Sequence, residues 1–215
     1  GGIACPGVPD TFLVTILPTP VATALTNQTI CAGAQSAAIN LTSNQVGTVF
    51  TWTSTNQVIG IASSGTGNIA PFSAVNAGTA PISSTVVATP TLTTNGQGCA
   101  GATVSAIITV NPNPVMISPA SASFCQGSTV AYNFTNNIPN GVVYAWNNSN
   151  TAIGLAASGS GNISFQAQNG TSAPISGTVS VIPTYTSNGV SCAGITQSFN
   201  IQIVPTPTVD PVSNI

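Results

Sequence analysis

Charge is nearly missing from this sequence. Its 215 residues include no Lys, no Arg and no His, and only two acids, Asp10 and Asp210. A soluble domain ordinarily carries about 25% charged residues. Without cations there is no electrostatic footprint for nucleic acid or anionic lipid, so neither is expected as a partner. Without His, and with the acids at opposite ends of the chain, no general acid–base pair or nucleophile triad can be assembled. No enzymatic activity is expected. Oxygen-ligated Ca²⁺ wants several carboxylates, so no metal and no cofactor are expected either. Long apolar runs are also missing. Mean hydropathy is positive, yet nothing approaches the roughly 18–20 residues of a membrane-spanning helix, and no membrane insertion is expected. The opening GGIACPGVPD does not have the pattern of a signal peptide and reads as the interior of a module.

What the chain does contain is short β-prone segments. Runs rich in Val, Ile, Thr and aromatics alternate with Gly, Pro and Asn clusters, as in Thr48–Ser54 (TVFTWTS), Ser84–Thr89 (STVVAT), Val104–Val110 (VSAIITV) and Phe199–Val204 (FNIQIV). Helix-forming segments with a charged face are absent, so the fold class is all-β.

The chain also repeats itself. GIASSGTGNI at Gly60–Ile69 returns as GLAASGSGNI at Gly154–Ile163, 94 positions later. The same interval of 94 separates Cys31 from Cys125, Trp52 from Trp146 and Phe50 from Tyr144. After a one-residue deletion, Ala80-Pro81-Ile82-Ser83 returns 93 positions on as Ala173-Pro174-Ile175-Ser176, and Cys99 returns as Cys192. Cys5 and Pro18-Thr19-Pro20 lie 94 positions before Cys99 and Pro112-Asn113-Pro114. The frame therefore predicts two whole repeats, 21–114 and 115–207. Residues 1–20 would supply the C-terminal strand of a preceding repeat, and 208–215 the start of a following one. The chain is expected to be a section of a longer array.

A repeat of this length with about seven short strands suits an immunoglobulin-like β-sandwich. Alternation assigns its interior. Phe50 and Trp52 share a face, as do Val86, Ala88, Pro90 and Leu92, and Val104, Ala106, Ile108 and Val110. The matching set in the second repeat is Tyr144 and Trp146, Val179 and Val181, and Phe199, Ile201 and Ile203. Trp52 and Trp146 are expected in the core, the alternative being an exposed platform for stacking sugars. The repeated ten-residue phrase follows the Trp strand, where the chain must cross between sheets. Gly65, Gly67, Gly159 and Gly161 are expected to supply turns with positive φ. Ile59, Ile61 and Ile69, with Ile153, Leu155 and Ile163, would anchor the crossing. A phosphate-binding glycine loop would need a Lys and a following helix, and has neither.

Several of these elements together resemble a known family. Cys-x-Gly (Cys31, Gly33; Cys125, Gly127), aromatic-x-Trp, Gly-x-Gly-Asn-Ile, Cys-Ala-Gly (Cys99–Gly101; Cys192–Gly194) and the closing Pro-x-Pro resemble the PKD-like repeats of giant Bacteroidetes cell-surface proteins. Those include gliding adhesins exported by the type IX system. The resemblance implies tandem Ig-like (PKD-like) sandwiches arranged as an extended rod, an extracellular or cell-surface location, a disulfide-stabilised scaffold and no catalytic residues.

Two Cys per repeat at fixed spacing, in a surface protein, point to disulfides rather than to a Zn site. Two pairings are open. Within repeats, Cys31 would bond Cys99 and Cys125 would bond Cys192. Strand directions favour the other. Cys125 follows a strand that has run the length of its sandwich, whereas Cys192 precedes the last strand and lies at the opposite end. A disulfide requires Cα atoms within about 7 Å. In an array, the trailing end of one sandwich abuts the leading end of the next, and Cys31 would face Cys192. Cys5, Cys99 and Cys125 would then pair with repeats outside 1–215.

The junctions Val-Asn-Pro-Asn-Pro (110–114) and Val-Pro-Thr-Pro (204–207) are short and stiff. The expected function is a structural stalk or spacer in a long extracellular filament or adhesin, resistant to trypsin because it has no Lys or Arg. Its partners would be neighbouring repeats of the same chain, with other filaments or surface polysaccharide as further candidates. The alternative is a carbohydrate- or surface-binding adhesion module, which exposed Trp52 or Trp146 would favour. Ice or mineral binding would need a regular outward grid of Thr, which strands this short and varied do not promise. Sequons at Asn27, Asn40, Asn133, Asn147, Asn162 and Asn169 are expected mostly by chance in so Asn- and Thr-rich a chain.

Overall fold

β-Branched and aromatic residues alternate with small polar ones along both repeats, and strands form where they do. In the computed structural model, which describes residues 1–207, the first repeat contains β1 (Gln28–Cys31), β2 (Thr48–Ser54), β3 (Ser64–Thr66), β4 (Ile82–Thr94), β5 (Gln97–Ala100) and β6 (Val104–Asn111). The second contains β7 (Ala122–Cys125), β8 (Thr129–Tyr132), β9 (Val142–Asn148), β10 (Ser158–Ser160), β11 (Ile163–Gln166), β12 (Ile175–Ser187), β13 (Val190–Ala193) and β14 (Gln197–Val204). Residues 208–215, where a following repeat was expected to begin, lie outside the described part. The fold is all-β: two Ig-like β-sandwiches in tandem.

Each repeat is dominated by one sheet. Its order is β1-β6-β4-β2-β3 in the first and β7-β14-β12-β9-β10 in the second, with β5 and β13 extending β4 and β12 as hairpins. At the edges formed by β1 and β7 the outer pair is parallel, whereas at the β3 and β10 edges it is antiparallel. β1 runs alongside β6 with Cys31 beside Asn111, and β7 alongside β14 with Cys125 beside Val204. The first strand thus ends at the same pole as the last one. This places Cys31 and Cys125 at the trailing ends of their sandwiches.

Alternation sets the interior as expected. Phe50, Trp52, Val86, Ala88, Ala106, Ile108 and Val110 are buried in the first core, and Tyr144, Trp146, Val179, Val181, Phe199, Ile201 and Ile203 in the second. Both tryptophans are 8% exposed, so neither offers a stacking platform.

The covering layer differs between the repeats. In the second, β8 and β11 pair in register from Tyr132 opposite Ile163 to Thr129 opposite Gln166. In the first, the same path carries only isolated bridges, Ile39 to Ile69 and Gln35 to Ser73. Pro71 stands where the second repeat has Phe165, 94 positions on. A proline has no N–H to donate to a ladder. The chain accommodates it with one extra residue, and Phe72 pairs instead with Ser36 through both backbone and hydroxyl.

The repeated phrase corrects one expectation. Gly67 and Gly161 have φ of +69° and +74°, but Gly65 and Gly159 are not among the residues with positive φ. They sit in β3 and β10, paired with Trp52 and Trp146 of the same sheet. There a Cβ would overlap the indole ring of the paired tryptophan. These glycines are needed for close approach, not for a turn. The crossing to the other layer comes two residues later. Asn68 Oδ1 accepts from Leu41 N at 2.8 Å, and Asn162 Oδ1 from Phe134 N at 3.0 Å, so the asparagine of the phrase ties the crossing to the opposite layer. The isoleucines and Leu155 anchor it in the core.

Candidate functional site: the junction between repeats

Among the described residues no group of three or more His, Cys, Asp or Glu side chains could hold a metal ion, and no helix is long and apolar enough to cross a membrane. The features that set this chain apart converge where the repeats meet.

Three local devices build the junction. The first is a hairpin arm. β12 continues past the sheet and returns as β13 through Asn188-Gly189, with φ of +49° and +75°. β4 and β5 make the same turn at Asn95-Gly96, with φ of +50° and +81°. Two central residues with positive φ match the right-handed twist of a hairpin, and Asn-Gly adopts them with little strain. In each repeat the arm projects at the leading end.

The second device is the linker seat. A Cβ on Gly194 would overlap the carbonyl oxygen of Pro114, and one on Gly101 would overlap that of Pro20. The Cys-Ala-Gly motif therefore supplies a bare backbone on which the Pro-x-Pro motif rests. Gly194 N donates to Pro183 O at 2.8 Å and Gly101 N to Pro90 O at 2.9 Å, which fixes the seat in the hairpin. Residue 20 stands toward the first repeat as residue 114 stands toward the second.

The third is the contact between sandwiches. Cys31 and Cys192 form a disulfide that spans 161 positions, with Cα atoms 5.4 Å apart. Beside it Asn111, fully buried, donates from Nδ2 to Ser187 O at 2.9 Å and to Val190 O at 3.3 Å, gripping the two sides of the arm's tip. Asn113 Nδ2 donates to Ala32 O at 2.9 Å, tying the linker back to the first repeat. Asn111 Oδ1 and Asn113 Oδ1 have no hydrogen-bond donor in the structure. Further inside, Asn76 Nδ2 donates to Ala80 O and Val110 O, and Asn169 Nδ2 to Ala173 O and Ile203 O. Each holds a loop against the final strand just before its linker.

Of the sequence-derived cysteines, then, the structure brings Cys31 and Cys192 together. It does not bring Cys31 to Cys99 or Cys125 to Cys192. Cys5 and Cys125 are free and exposed, and Cys99 is free and half-buried. Of the sequons, Asn162 and Asn169 are engaged in the bonds above. Thr66, Thr51 and Thr89 form one outward row in the first repeat, but the same row in the second is Ser160, Ala145 and Ile182. No threonine grid is therefore maintained.

Sequence reasoning missed Asn111 and the arm. The arm had a signal, since Asn-Gly between two β-prone runs marks a hairpin. Asn111 had none: Leu17 and Val204 occupy its place in the neighbouring frames.

A family model described as the PKD-like domain matches residues 28–114. No curated protein matches the chain. Among solved structures it is similar to the Ig1–Ig2 pair of DIP-gamma, at 12% identity over 87% of this chain and 98% of that one, with a TM-score of 0.47. An I-band fragment of titin is similar at 11% identity over 88% of this chain and 67% of that one, with a TM-score of 0.48. The N-terminal Ig1–2 module of the Drosophila receptor protein tyrosine phosphatase DLAR is similar at 15% identity over 86% and 98%, with a TM-score of 0.31.

Proposed function

We propose that this disulfide-stabilised pair of Ig-like sandwiches is a section of an extracellular stalk, whose product is rigid length between a cell surface and whatever lies at the far end. The domain limits that go with this reading are 21–114 and 115–207, flanked by residues 1–20, which match the end of a repeat in the 94-residue frame but carry no strand in the structure, and by the first residues of another. The single observation that carries it is the junction. A flexible tether between independent domains needs none of the parts found there. A disulfide, a buried amide gripping the next repeat, and a proline linker seated on glycine all restrict rotation about the connection.

Composition supports the same reading. Without Lys or Arg, trypsin-like proteases have no cleavage site. Disulfides persist in oxidising, extracellular compartments, and the cysteines recur in the frame a long array requires. The resemblance to PKD-like repeats of Bacteroidetes surface proteins fits a secreted fibre of this kind. The competing reading, a sugar-binding module using tryptophan platforms, loses its candidate residues because both tryptophans are core.

Small-angle scattering of the chain before and after reduction tests the proposal. An elongated particle with one well-defined maximum dimension, broadening to a distribution when Cys31–Cys192 is reduced, is the expected result. A compact particle, or equal flexibility in both states, would overturn it.

A further inference from the structure

We infer that the pair also works as a tension strap of fixed length: the Cys31–Cys192 bond joins the first strand of one repeat to the last strands of the next, and takes residues 32–191 out of the path that carries load. The inference rests on the junction behind the spacer reading and deepens it, from resistance to bending to resistance to stretching.

Strand direction makes the strap. Pro20 sits on Gly101 at the leading end of the first repeat, and β1 ends beside Asn111 at the trailing end. Residues 21–31 therefore cross the whole first repeat. The bond hands the path to Cys192, in the arm at the leading end of the second repeat. From there β13 and β14 both run antiparallel to β12, and β14 ends beside Cys125 at the trailing end. β1, β13 and β14 point the same way along the pair. The covalent route through sulfur from residue 21 to residue 207 never doubles back.

The route is also nearly straight. Residues 20–31 join the same two points as residues 101–111, with one residue more, and 104–111 of the latter are strand β6. A strand rises about 3.3 Å per residue against a limit near 3.6 Å, so little length is held in reserve. The route from 21 to 207 has about 27 residues, which draw out to at most about 95 Å.

Without the bond, load would follow the chain through every residue from 21 to 207, and these draw out to about 650 Å. Forced unfolding follows the unfolding rate, so an unstrapped array lengthens each time a sandwich yields. With the bond, residues 32–191 form a closed side loop, and their unfolding adds nothing to the distance between 21 and 207. The ladders brace the strap along its own axis. β1 is held to β6 over four residues and β14 to β12 over seven. Pull along a strand strains all its pairs together rather than one after another.

The same device extends through a longer array. Cys99 and Cys125 lie within 32–191, in phase with Cys192 and Cys31. Their bonds to the repeats before and after close loops that overlap this one. Each repeat then carries part of two straps, and the limit on length holds along the array.

The test stretches the full chain in a force spectrometer, with handles at Gly1 and Ile215. Cys5→Ser, Cys99→Ser and Cys125→Ser leave one possible bond, and thiol titration verifies that it has formed. The oxidised chain should reach its limit at about 180–200 Å, the span of the roughly 55 residues outside the loop, with no release step longer than about 30 Å. Reduced, or with Cys31→Ser added, it should yield in steps and reach about 700–770 Å, a roughly fourfold gain. Longer steps with the bond intact, equal limits in the two states, or thiols that stay free under oxidised glutathione would overturn the strap. Long steps with the bond intact would leave the spacer reading standing, because bending at the junction is a separate property read by scattering. A flexible scattering profile without long steps would do the reverse.

Discussion

At the trailing end of the first repeat Cys31 is bonded, Asn111 is fully buried and its amide grips the next arm; at the trailing end of the second, Cys125 is free and Val204 is 37% exposed. The backbone is the same at both ends. What differs is that, among the described residues, a neighbouring sandwich sits against the first of these ends only. The comparison teaches that each repeat folds its own poles without help. The junction is an added layer, made from surfaces already in place and then fastened by one covalent bond and a few polar contacts.

The largest effect on this contrast should come from the disulfide. A crosslink spanning 161 positions restricts the unfolded chain by about 5 kcal/mol in the chain-entropy account. Cys31→Ser should lower the thermal midpoint by several degrees, while Cys125→Ser in the same monomeric protein should leave it unchanged. Calorimetry on the two variants, with monomer verified, reads this directly. Equal midpoints would mean that the junction bond adds nothing to stability.

Next in size is the linker seat. Gly194→Ala pushes a methyl group into the Pro114 carbonyl, and an overpacked backbone contact costs about 1–3 kcal/mol. Gly101→Ala should do the same at Pro20. Urea midpoints should fall for both, and only Gly194→Ala should also broaden the scattering profile, because only Gly194 lies between the two described sandwiches.

The polar grip is smaller. Asn111→Ala removes two hydrogen bonds to Ser187 and Val190, worth about 1 kcal/mol each, partly offset because Oδ1 no longer has to be buried without a donor. Val204→Ala, at the same position of the second repeat, should change the urea midpoint by less than about 0.5 kcal/mol equivalent.

The smallest effect separates the two repeats by pH. Burial raises the Tyr132 phenol above its ordinary value, and Ile39 occupies the matching place in the first repeat. A phenol whose folded value is raised stabilises fully below its unfolded value near 10 and loses that contribution as pH rises through the folded value. The chain should therefore lose stability above about pH 10, and Tyr132→Phe should lose less. Melting curves at pH 9 and 11 compare them; identical slopes would remove Tyr132 as the cause.

Much of the fold was legible because it rests on local rules. Alternation named the core residues from Phe50 to Ile203, and the 94-residue frame placed equivalent residues in equivalent positions. The Gly-x-Gly phrase was legible as architecture but not in its detail. A glycine that yields to an indole and one that turns the chain are the same letter, and only the strand pairing of Gly65 with Trp52 tells them apart. The junction was half legible. Strand directions pointed to Cys31 and Cys192, but a buried amide that grips another repeat leaves no periodic mark, since the frame offers Leu17, Asn111 and Val204 at one position.

By itself, the sequence determined a nearly uncharged all-β chain, built twice on one pattern, with its cysteines in fixed phase; each of these follows from composition or from periods of two and ninety-four. The tertiary structure alone decided three things. Two glycines serve a tryptophan's packing, Pro71 leaves one covering layer without a ladder, and Asn111 holds the arm of the next sandwich. All three depend on which atoms meet across long separations in the chain, and packing distance, not local preference, is what selects them.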